Sequence, residues 1–497
     1  MATQTQFILK QSVIYSFGNT LAKLSGVLLL PLYVVFTTTE EFGLLALFET
    51  IYQFILVLSG WGAKSGFSRF FYEMKDEAGR RSLFFTIFLF TVITSFAAVL
   101  LCVGLLNVWT FEVFQTDVSQ RVLLFFAVST LSRLFFDVPY ILLRLQQRAT
   151  HQTGHQSLNI LMTIAFTFAF LKFTHQGFEG IFMAQMLANI LTLVFILPVI
   201  IANSRMHIEW GVLKESIHYG YPLAISNILT IALTLSDRHI LNQYQSLDEV
   251  GSYSMAYKIS SILQMVVVAS FITSYTFYYY KSLNDSDQSK VHVKIFRYFV
   301  VAICLIGFGL VLFRREAVGI VSLGRDTYLS SLPLIPILIL GLIFSGIRQI
   351  FILPLTKLKK TSIISILSVG IAAINILLNL LFIPQYGKQA ACYSGVAAQL
   401  IGCMAFYWVL RHFHENDYNM GIVVKCVGLF ALCSAGVLLV PDFGWMLNSV
   451  IGISSLLLFI GGLFLLKVVG RTEVEELMKI VGNKIPVLKY LCYSMVN

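Results

Sequence analysis

The sequence predicts an all-α, polytopic membrane protein with about fourteen transmembrane helices. Of its 497 residues, 57% are hydrophobic and only 12% are charged. Long apolar runs recur from Ser12 to Lys467. A helix needs about 20 largely apolar residues to cross a hydrocarbon core of about 30 Å. A water-soluble domain could not hide this much apolar surface, so the composition excludes a soluble protein.

Fourteen apolar segments are long enough to be membrane-crossing helices, and we number them spans 1 to 14 in chain order. They lie at residues 12–36, 42–66, 82–106, 119–143, 156–173, 178–201, 219–241, 250–276, 297–313, 333–355, 362–383, 389–410, 420–440 and 445–468. The first run is too long for the core of a cleavable signal peptide, and no small-residue cleavage site follows it. We therefore expect span 1 to remain in the mature protein.

The loop charges predict the orientation of the chain in the membrane. Twenty-two Lys and Arg residues fall in the loops and tails on the side of the N-terminus, against five on the other side. Basic loops stay in the cytoplasm, so both termini are expected there. The net charge of +10 therefore reflects membrane topology. Because the basic residues are scattered over separate short loops, we expect no nucleic-acid binding.

Eight basic and three acidic residues fall inside the predicted spans. They are Lys23, Lys64, Arg121, Arg133, Arg238, Lys258, Arg348 and Lys425, with Glu49, Asp137 and Asp237. Lys64, Arg121 and Lys425 lie near span ends, where long side chains can reach the headgroups. Lys23 and Arg133 lie near the middle of their spans, and each would cost about 2.5 to 3.5 kcal/mol if it faced lipid. We expect these two to face protein or a wet cavity.

Helical periodicity places these charges on polar stripes in four spans. At about 100° per residue, Asn227, Thr234, Asp237 and Arg238 share one face of span 7, together with Thr230. Span 1 has a similar stripe around Lys23, span 2 around Glu49 and Lys64, and span 4 around Arg133 and Asp137. One stripe alone is typical of hydrogen bonds between helices. Four charged stripes favour a common hydrated cavity.

Two internal matches indicate that the chain repeats itself. Glu41 and Gly43 align with Glu249 and Gly251, and near the end of each half Gly177 aligns with Gly387. Each repeat holds six spans, and an even number keeps the repeats parallel. We expect an N-terminal lobe at 1–209, a C-terminal lobe at 210–418 and a central cavity between them. Spans 13 and 14 at 419–468 are additional, and 469–497 is expected to form a cytoplasmic tail with an amphipathic helix.

Several segments resemble one family of membrane proteins. "SDRHILNQYQSLDEVGSYSMAYKI" (236–259), "INILLNLLFIPQYG" (374–387), "LLLPLYVVFTTTEEFGLLAL" (28–47) and "GFSRFFYEMKD" (66–76) are similar to Wzx-type polysaccharide flippases. These belong to the multidrug/oligosaccharidyl-lipid/polysaccharide exporter superfamily, called MOP, and the resemblance covers essentially the whole chain. It implies a MATE-like fold. Many Wzx proteins have twelve spans, whereas this chain has fourteen, a number shared with lipid II flippases.

The resemblance implies that the protein moves an undecaprenyl-pyrophosphate-linked oligosaccharide across the bacterial inner membrane by alternating access, for surface polysaccharides such as O-antigen lipopolysaccharide. Membrane lipids surround it, and a polysaccharide polymerase is a candidate partner. A pyrophosphate needs cations and a glycan needs polar side chains. The predicted substrate-binding residues are Lys23, Lys64, Arg133, Asn227, Thr234, Arg238, Lys258 and Arg348. The candidates for coupling to H⁺ or Na⁺ are Glu49, Asp137 and Asp237.

Three alternatives remain open on sequence alone. A lipid II flippase would carry a related lipid-linked sugar. An ion-coupled multidrug exporter for cationic drugs should have an anionic cavity, which eight basic and three acidic residues within spans disfavour. A membrane-embedded glycan polymerase or ligase would need catalytic groups outside the membrane, and the connection at 314–332 is short for that role. We expect no enzyme activity, no cofactor and no metal site.

Overall fold

The computed structural model describes residues 26, 28–74, 76–174, 177–281, 288–358, 360–413, 418–439 and 445–468. Within these ranges every regular element is a helix. Ten of the helices are long and apolar enough to cross a membrane. The all-α, multi-pass architecture predicted from the sequence is therefore confirmed. Lys23 and the predicted amphipathic tail helix lie outside the described residues.

The first lobe contains nine helices, which cover the described part of spans 1 to 6. They are α1 (Leu30–Phe36), α2 (Thr39–Leu58), α3 (Ala63–Phe70), α4 (Glu77–Val108), α5 (Thr110–Phe114), α6 (Gln120–Leu134), α7 (Asp137–Leu145), α8 (Ala149–Phe173) and α9 (Gly177–Asn203). Helix α1 is the end of span 1. Spans 3, 5 and 6 correspond to α4, α8 and α9.

The rest of the chain forms nine more α-helices with two short irregular helical segments. The α-helices are α10 (Trp210–Tyr244), α11 (Leu247–Ile262), α12 (Ala269–Lys281), α13 (Gln288–Leu312), α14 (Arg314–Ser322), α15 (Leu334–Lys357), α16 (Thr361–His412), α17 (Met420–Leu439) and α18 (Trp445–Leu465). A π-helical turn, Leu263–Val268, joins α11 to α12, and a 3₁₀ helix, Asp326–Ser331, precedes α15. Helix α16 holds spans 11 and 12, which meet at the non-helical Gly387.

Two predicted spans are broken by local backbone geometry. In span 2, Gly60, Trp61 and Gly62 all have positive φ angles, of 81°, 45° and 82°. L-residues with side chains rarely adopt this conformation, so the helix ends at Leu58 and α3 starts again after the turn. In span 4, a turn separates the end of α6 at Leu134 from the start of α7 at Asp137. The two halves of span 2 therefore need not share one helical face, whereas Phe135 and Phe136 keep near-helical angles in span 4.

Helices α2 and α11, the second and eighth spans, begin with the same kind of cap. The Thr38 hydroxyl accepts a hydrogen bond from the Glu41 amide at 3.1 Å, and the Glu41 carboxylate accepts one from the Thr38 amide at 2.9 Å. In α11 the Ser246 hydroxyl accepts from the Glu249 amide at 3.3 Å. Such caps satisfy amides that have no partner within a helix. Both helix starts are therefore defined by residues that align in the two halves.

The lobes touch through a reciprocal contact between α2 and α11. A Cβ added to Gly43 would lie 2.1 Å from the Leu247 carbonyl oxygen, and one added to Gly251 would lie 2.2 Å from the Thr39 carbonyl oxygen. Thr39 and Leu247 occupy equivalent positions in the two repeats. Each glycine therefore contacts the equivalent residue of the other repeat. Only glycine permits backbones to approach this closely. The contact has the two-fold relation that the aligned glycines indicate.

A second pair of equivalent contacts involves the aligned acidic residues. Gly177 and Gly387 both have positive φ, of 52° and 55°. A Cβ on Gly177 would lie 3.5 Å from a Glu41 carboxylate oxygen, and one on Gly387 would lie 3.5 Å from a Glu249 carboxylate oxygen. Lys388 also forms an ion pair with Glu249, at 3.0 Å. In both halves, therefore, a glycine with positive φ lies beside the carboxylate of an aligned glutamate.

Helices α3 and α10 bring the lobes together at the opposite end of α2. A Cβ on Gly62 would lie 2.1 Å from the Gly220 carbonyl oxygen, and one on Gly220 would lie 2.0 Å from the Gly62 carbonyl oxygen. A Cβ on Gly66 would lie 2.5 Å from the Ser216 Cα atom. The two lobes are thus in backbone contact at both ends of span 2, with the charged residues of that span between the contacts.

Candidate substrate cavities

The N-terminal lobe contains two adjoining cavities, which we call the N-lobe cavities. One has a volume of about 360 Å³ and the other about 420 Å³. Arg133 and Gln156 line both of them. Spans 2, 4, 5 and 6 supply most of the walls of the first cavity, and spans 2, 4 and 7 most of those of the second. A polar path therefore runs along the interior of this lobe.

Arg133 lies at the junction of the two N-lobe cavities. Its guanidinium group interacts with the hydroxyls of Tyr52 and Tyr140 and with the carboxylate of Asp137. The Phe136 ring covers it at 5.7 Å. The Asp137 carboxylate is shared with Lys64, so it does not neutralise both cations, and the guanidinium lines both cavities. The expectation that Arg133 faces a cavity rather than lipid is met by this placement.

Lys64 forms the ion pair with Asp137 in the second N-lobe cavity. The Lys64 ammonium lies 2.8 Å from a carboxylate oxygen of Asp137, and both side chains are partly exposed, at 20% and 28%. The i, i+4 spacing of Arg133 and Asp137 suggests that these two residues compensate each other on one helix. Asp137 does interact with Arg133, but its ion pair at salt-bridge distance is with Lys64, from α3. Lys64 accordingly faces this cavity.

Lys258 and Glu49 join the two lobes. The Lys258 ammonium lies 2.6 Å from a Glu49 carboxylate oxygen, and the side chains are 11% and 39% exposed. Lys258 also lies over the Phe42 ring at 5.3 Å. Glu49 lines the first N-lobe cavity, so the ion pair stands at its edge. An anion that enters the first N-lobe cavity would therefore compete with Glu49 for the Lys258 ammonium group.

Uncharged polar residues line much of the N-lobe cavities, and most of them are not among the predicted site residues. The Asn159 amide nitrogen donates to the Asn189 side-chain oxygen at 2.9 Å and contacts the Thr192 hydroxyl at 3.2 Å. The Asn189 amide nitrogen donates to the Ser129 carbonyl at 3.0 Å. A sequence signal for this surface exists. Polar residues recur every three or four positions in spans 5 and 6, at 152, 156, 159 and 163 and at 185, 189 and 192.

The C-terminal lobe has its own cavity of about 370 Å³, which we call the C-lobe cavity. Spans 7, 8, 10, 11 and 12 line it. Arg348 and Asp237 are its charged residues, and Gln264, Asn375 and Gln399 are among its polar ones. The Arg348 guanidinium lies over the Phe406 ring at 5.6 Å, and its Nε is buried without an acceptor among the described residues. The C-lobe cavity is thus the counterpart of the first N-lobe cavity, with one arginine from the fourth span of each lobe.

Asp237, rather than its neighbour Arg238, faces the C-lobe cavity. Both are buried, with exposures of 8% and 5%. The Asp237 carboxylate accepts hydrogen bonds from the Tyr253 hydroxyl and, at 2.9 Å, from the Arg238 backbone amide. The Arg238 guanidinium lies over the Tyr257 ring at 5.3 Å. The polar stripe of span 7 therefore ends in the Asp237 carboxylate, which the Tyr253 hydroxyl and the Arg238 backbone amide hold by hydrogen bonds.

The predicted substrate-binding residues are thus distributed over several places. Arg133, Lys64 and Asn227 line the N-lobe cavities, and Lys258 lies at their edge. Arg348 is on the opposite side, in the C-lobe cavity. The side chain of Thr234 lies outside the described residues. Among the described residues, the predicted cations line or border three cavities, the two N-lobe cavities and the C-lobe cavity.

Comparison with known proteins identifies the family. A family model described as "polysaccharide biosynthesis protein" matches residues 8–277, more than half of the chain. This chain belongs to the polysaccharide biosynthesis protein family. The resemblance to polysaccharide flippases is therefore confirmed at the level of this family. No curated protein matches the chain.

Solved structures show the fold of this family member. The lipid II flippase MurJ in its inward closed conformation aligns with a TM-score of 0.73, with 16% identity over 90% of this chain and 98% of that one. An inward-facing multidrug resistance MATE family transporter of the MOP superfamily aligns with a TM-score of 0.63, 13% identity and coverages of 81% and 95%. The MATE multidrug transporter DinF-BH gives a TM-score of 0.60, 15% identity and coverages of 84% and 96%. The predicted MATE-like fold is confirmed.

Proposed function

We propose that this protein is a flippase that moves an undecaprenyl-pyrophosphate-linked oligosaccharide across the bacterial inner membrane for surface polysaccharide synthesis. The observation that carries the proposal is Arg133 at the junction of two polar cavities. Together with Lys64, Arg144 and Lys258, it outnumbers the two acidic residues there, Glu49 and Asp137. The net charge of the site is therefore +2, which matches the roughly two negative charges of a lipid pyrophosphate.

The uncharged residues of the N-lobe cavities suit the sugar part of such a substrate. Asparagine, glutamine and threonine side chains offer both donors and acceptors, which can replace water on sugar hydroxyls. The polyprenyl tail is apolar and would stay in the lipid. A carrier of lipid-linked sugars therefore needs a polar cavity for the sugar and, at its side, access to the lipid for the tail. Two helical lobes with a polar interior and an apolar outer surface suit both needs.

Alternating access would follow from the two-lobe organisation. We assign the lobes to residues 1–209 and 210–418, with both termini in the cytoplasm according to the loop charges. The reciprocal contacts at Gly43 and Gly251, and at Gly62 and Gly220, are then the closures toward the outer and inner sides. A transport cycle would open one glycine contact while the other stays closed.

The proposal is tested on two arginines of the same helix. Arg133→Gln should abolish export of the glycan, because it removes the cation at the junction of the N-lobe cavities. Arg121→Gln is the matched control, since Arg121 is exposed in the first turn of α6. Both variants should insert into the membrane at wild-type levels. Undiminished glycan export by Arg133→Gln would overturn the proposed site.

The identity of the glycan decides between a surface-polysaccharide flippase and a lipid II flippase. Both substrates present a pyrophosphate and sugars, so the cavities suit either. Analysis of the lipid-linked sugar that accumulates in cells lacking this protein would distinguish them. Accumulation of lipid II would refute the surface-polysaccharide assignment and leave the anion site intact.

Ion coupling is a separate part of the proposal. Asp237 is the coupling candidate that faces a cavity without a basic partner at salt-bridge distance among the described residues, whereas Asp137 and Glu49 pair with lysines. A carboxylate in such a position can bind H⁺ or Na⁺ as part of the cycle. Collapse of the pH or Na⁺ gradient in vesicles should slow translocation. Unchanged rates under both treatments would exclude coupling to these ions.

A further inference from the structure

A third polar cavity lies on the N-terminal lobe, away from the transport cavities. It has a volume of about 350 Å³ and lies where α4 begins and where α7 and α9 end. It shares no lining residue with the N-lobe cavities. Its charged lining residues are Arg80, Arg81, Arg148 and Glu77. We call it the basic surface cavity.

Two of its three arginines keep uncompensated charge. Arg81 pairs with Glu77 at 2.6 Å. Arg80 uses its Nε to donate to the Met74 carbonyl at 3.0 Å and lies over the Phe71 ring at 5.3 Å, which leaves its two terminal nitrogens for another acceptor. Arg148 has no carboxylate within salt-bridge distance among the described residues. The cavity therefore presents two guanidinium groups, each of which can bind a phosphate oxygen.

The cavity also offers an acceptor that lacks a donor. The Gln146 amide nitrogen donates to the Asn203 side-chain oxygen at 2.7 Å, which fixes the orientation of the amide. The Gln146 Oε1 is buried and has no donor among the described residues. The amide nitrogen of Asn203 donates to the Val199 carbonyl, at 2.8 Å. A ligand that combines a phosphate with a hydroxyl would satisfy both features.

The walls and the position of the cavity indicate a lipid source for that ligand. Phe71, Leu142 and Leu145 line it beside the arginines. It lies at the ends of membrane-crossing helices, where lipid headgroups are expected, and on the side that the loop charges assign to the cytoplasm. We propose that the basic surface cavity binds the glycerol-phosphate headgroup of an anionic phospholipid of the phosphatidylglycerol type.

The test measures the melting temperature of the purified full-length protein in detergent as lipid is titrated in. Dioleoyl-phosphatidylglycerol should raise the melting temperature of the wild type, and dioleoyl-phosphatidylcholine should not. Arg148→Gln should raise the half-maximal lipid concentration about tenfold, since it removes a charge-assisted contact to phosphate. Arg148 is exposed and supports no other side chain by an ion pair among the described residues, so the variant is expected to fold.

Controls separate the site from general attraction to a basic surface. Arg69→Gln removes a positive charge that is already engaged, by Glu73 at 3.7 Å and by the Tyr219 ring at 4.7 Å, and it should leave the lipid response unchanged. Gln146→Leu should remove the preference for phosphatidylglycerol over phosphatidylmethanol, which has the same charge but no headgroup hydroxyl.

Three results would overturn the proposal. An equal response of Arg148→Gln and the wild type would place the lipid elsewhere. Equal stabilisation by inorganic phosphate or free glycerol phosphate would show that the acyl chains are not needed, so that the ligand would be a soluble phosphate. A Gln146→Leu variant that keeps its preference for phosphatidylglycerol would show that Gln146 does not receive the hydroxyl.

Discussion

Gly43→Ala should prevent the close approach of α2 and α11. The new Cβ would lie 2.1 Å from the Leu247 carbonyl oxygen, which is 0.9 Å less than the 3.0 Å below which such contacts essentially never occur. The obstacle is backbone, so no side-chain rotation can relieve it. Overpacking of this kind costs about 1 to 3 kcal/mol, which shifts a two-state equilibrium by roughly 5- to 150-fold. The lobes should therefore populate a conformation in which this contact is open.

The assay is the reactivity of a cysteine placed in the first N-lobe cavity. In a background without native cysteines, Gln53→Cys would report access of a water-soluble thiol reagent to the purified protein. Gly43→Ala should raise the labelling rate by a factor within that range. Gly251→Ala should do the same, because its Cβ would lie 2.2 Å from the Thr39 carbonyl oxygen.

Gly104→Ala is the control for changing a helical glycine. A Cβ at Gly104 would meet nothing within 4 Å, so labelling should stay at the parental rate. If Gly43→Ala and Gly251→Ala also labelled at the parental rate and the protein kept its fold, the α2–α11 contact would not control access to the cavity, and our reasoning would be refuted.

Three further predictions concern stability, each measured as a change in the free energy of unfolding or in melting temperature. Glu49→Gln and Lys258→Gln should each lower the free energy of unfolding by about 1 to 2 kcal/mol. The cost is modest because Glu49 is 39% exposed and the ion pair is only partly buried. A coupling energy of zero in a double-mutant cycle would contradict the ion pair. Gly387→Ala should cost about 1 kcal/mol because its φ is 55°, whereas Gly395→Ala, with open space at its Cβ, should be neutral. Asn189→Leu should cost about 1 to 3 kcal/mol because it leaves the buried Asn159 amide with one acceptor fewer, and an unchanged melting temperature would count against the Asn159–Asn189 bond.

The repeat shows how far periodic information in a sequence extends. Glu41, Gly43 and Gly177 align with Glu249, Gly251 and Gly387 on residue identity alone. The structure gives each aligned pair the same backbone environment, with positive φ at Gly177 and Gly387 and a carbonyl against Gly43 and Gly251. Glycines required by close approach or by left-handed backbone leave a signal in the sequence, because other residues cannot replace them.

Prediction of the charged site was less complete. Helical periodicity places Arg133 and Asp137 on one face and brings Arg238 to the cavity. Asp137 remains near Arg133 but forms its ion pair with Lys64 of another helix, and Asp237 takes the position that faces the C-lobe cavity. A projection of one helix at a constant 100° per residue cannot anticipate a partner from another helix. The polar surface of spans 5 and 6 consists of uncharged residues, which the pattern of ionisable residues does not indicate.

The sequence by itself determined the helical membrane class and the register of the repeat. These follow from the length of apolar runs and from residues at matching positions, which are properties of the chain read in one dimension. Only the tertiary structure decided which charges meet, as Lys64 does with Asp137 and Lys258 with Glu49. Such pairs lie on different helices, and their contact depends on the rotation, breaks and packing of those helices, which no local pattern contains.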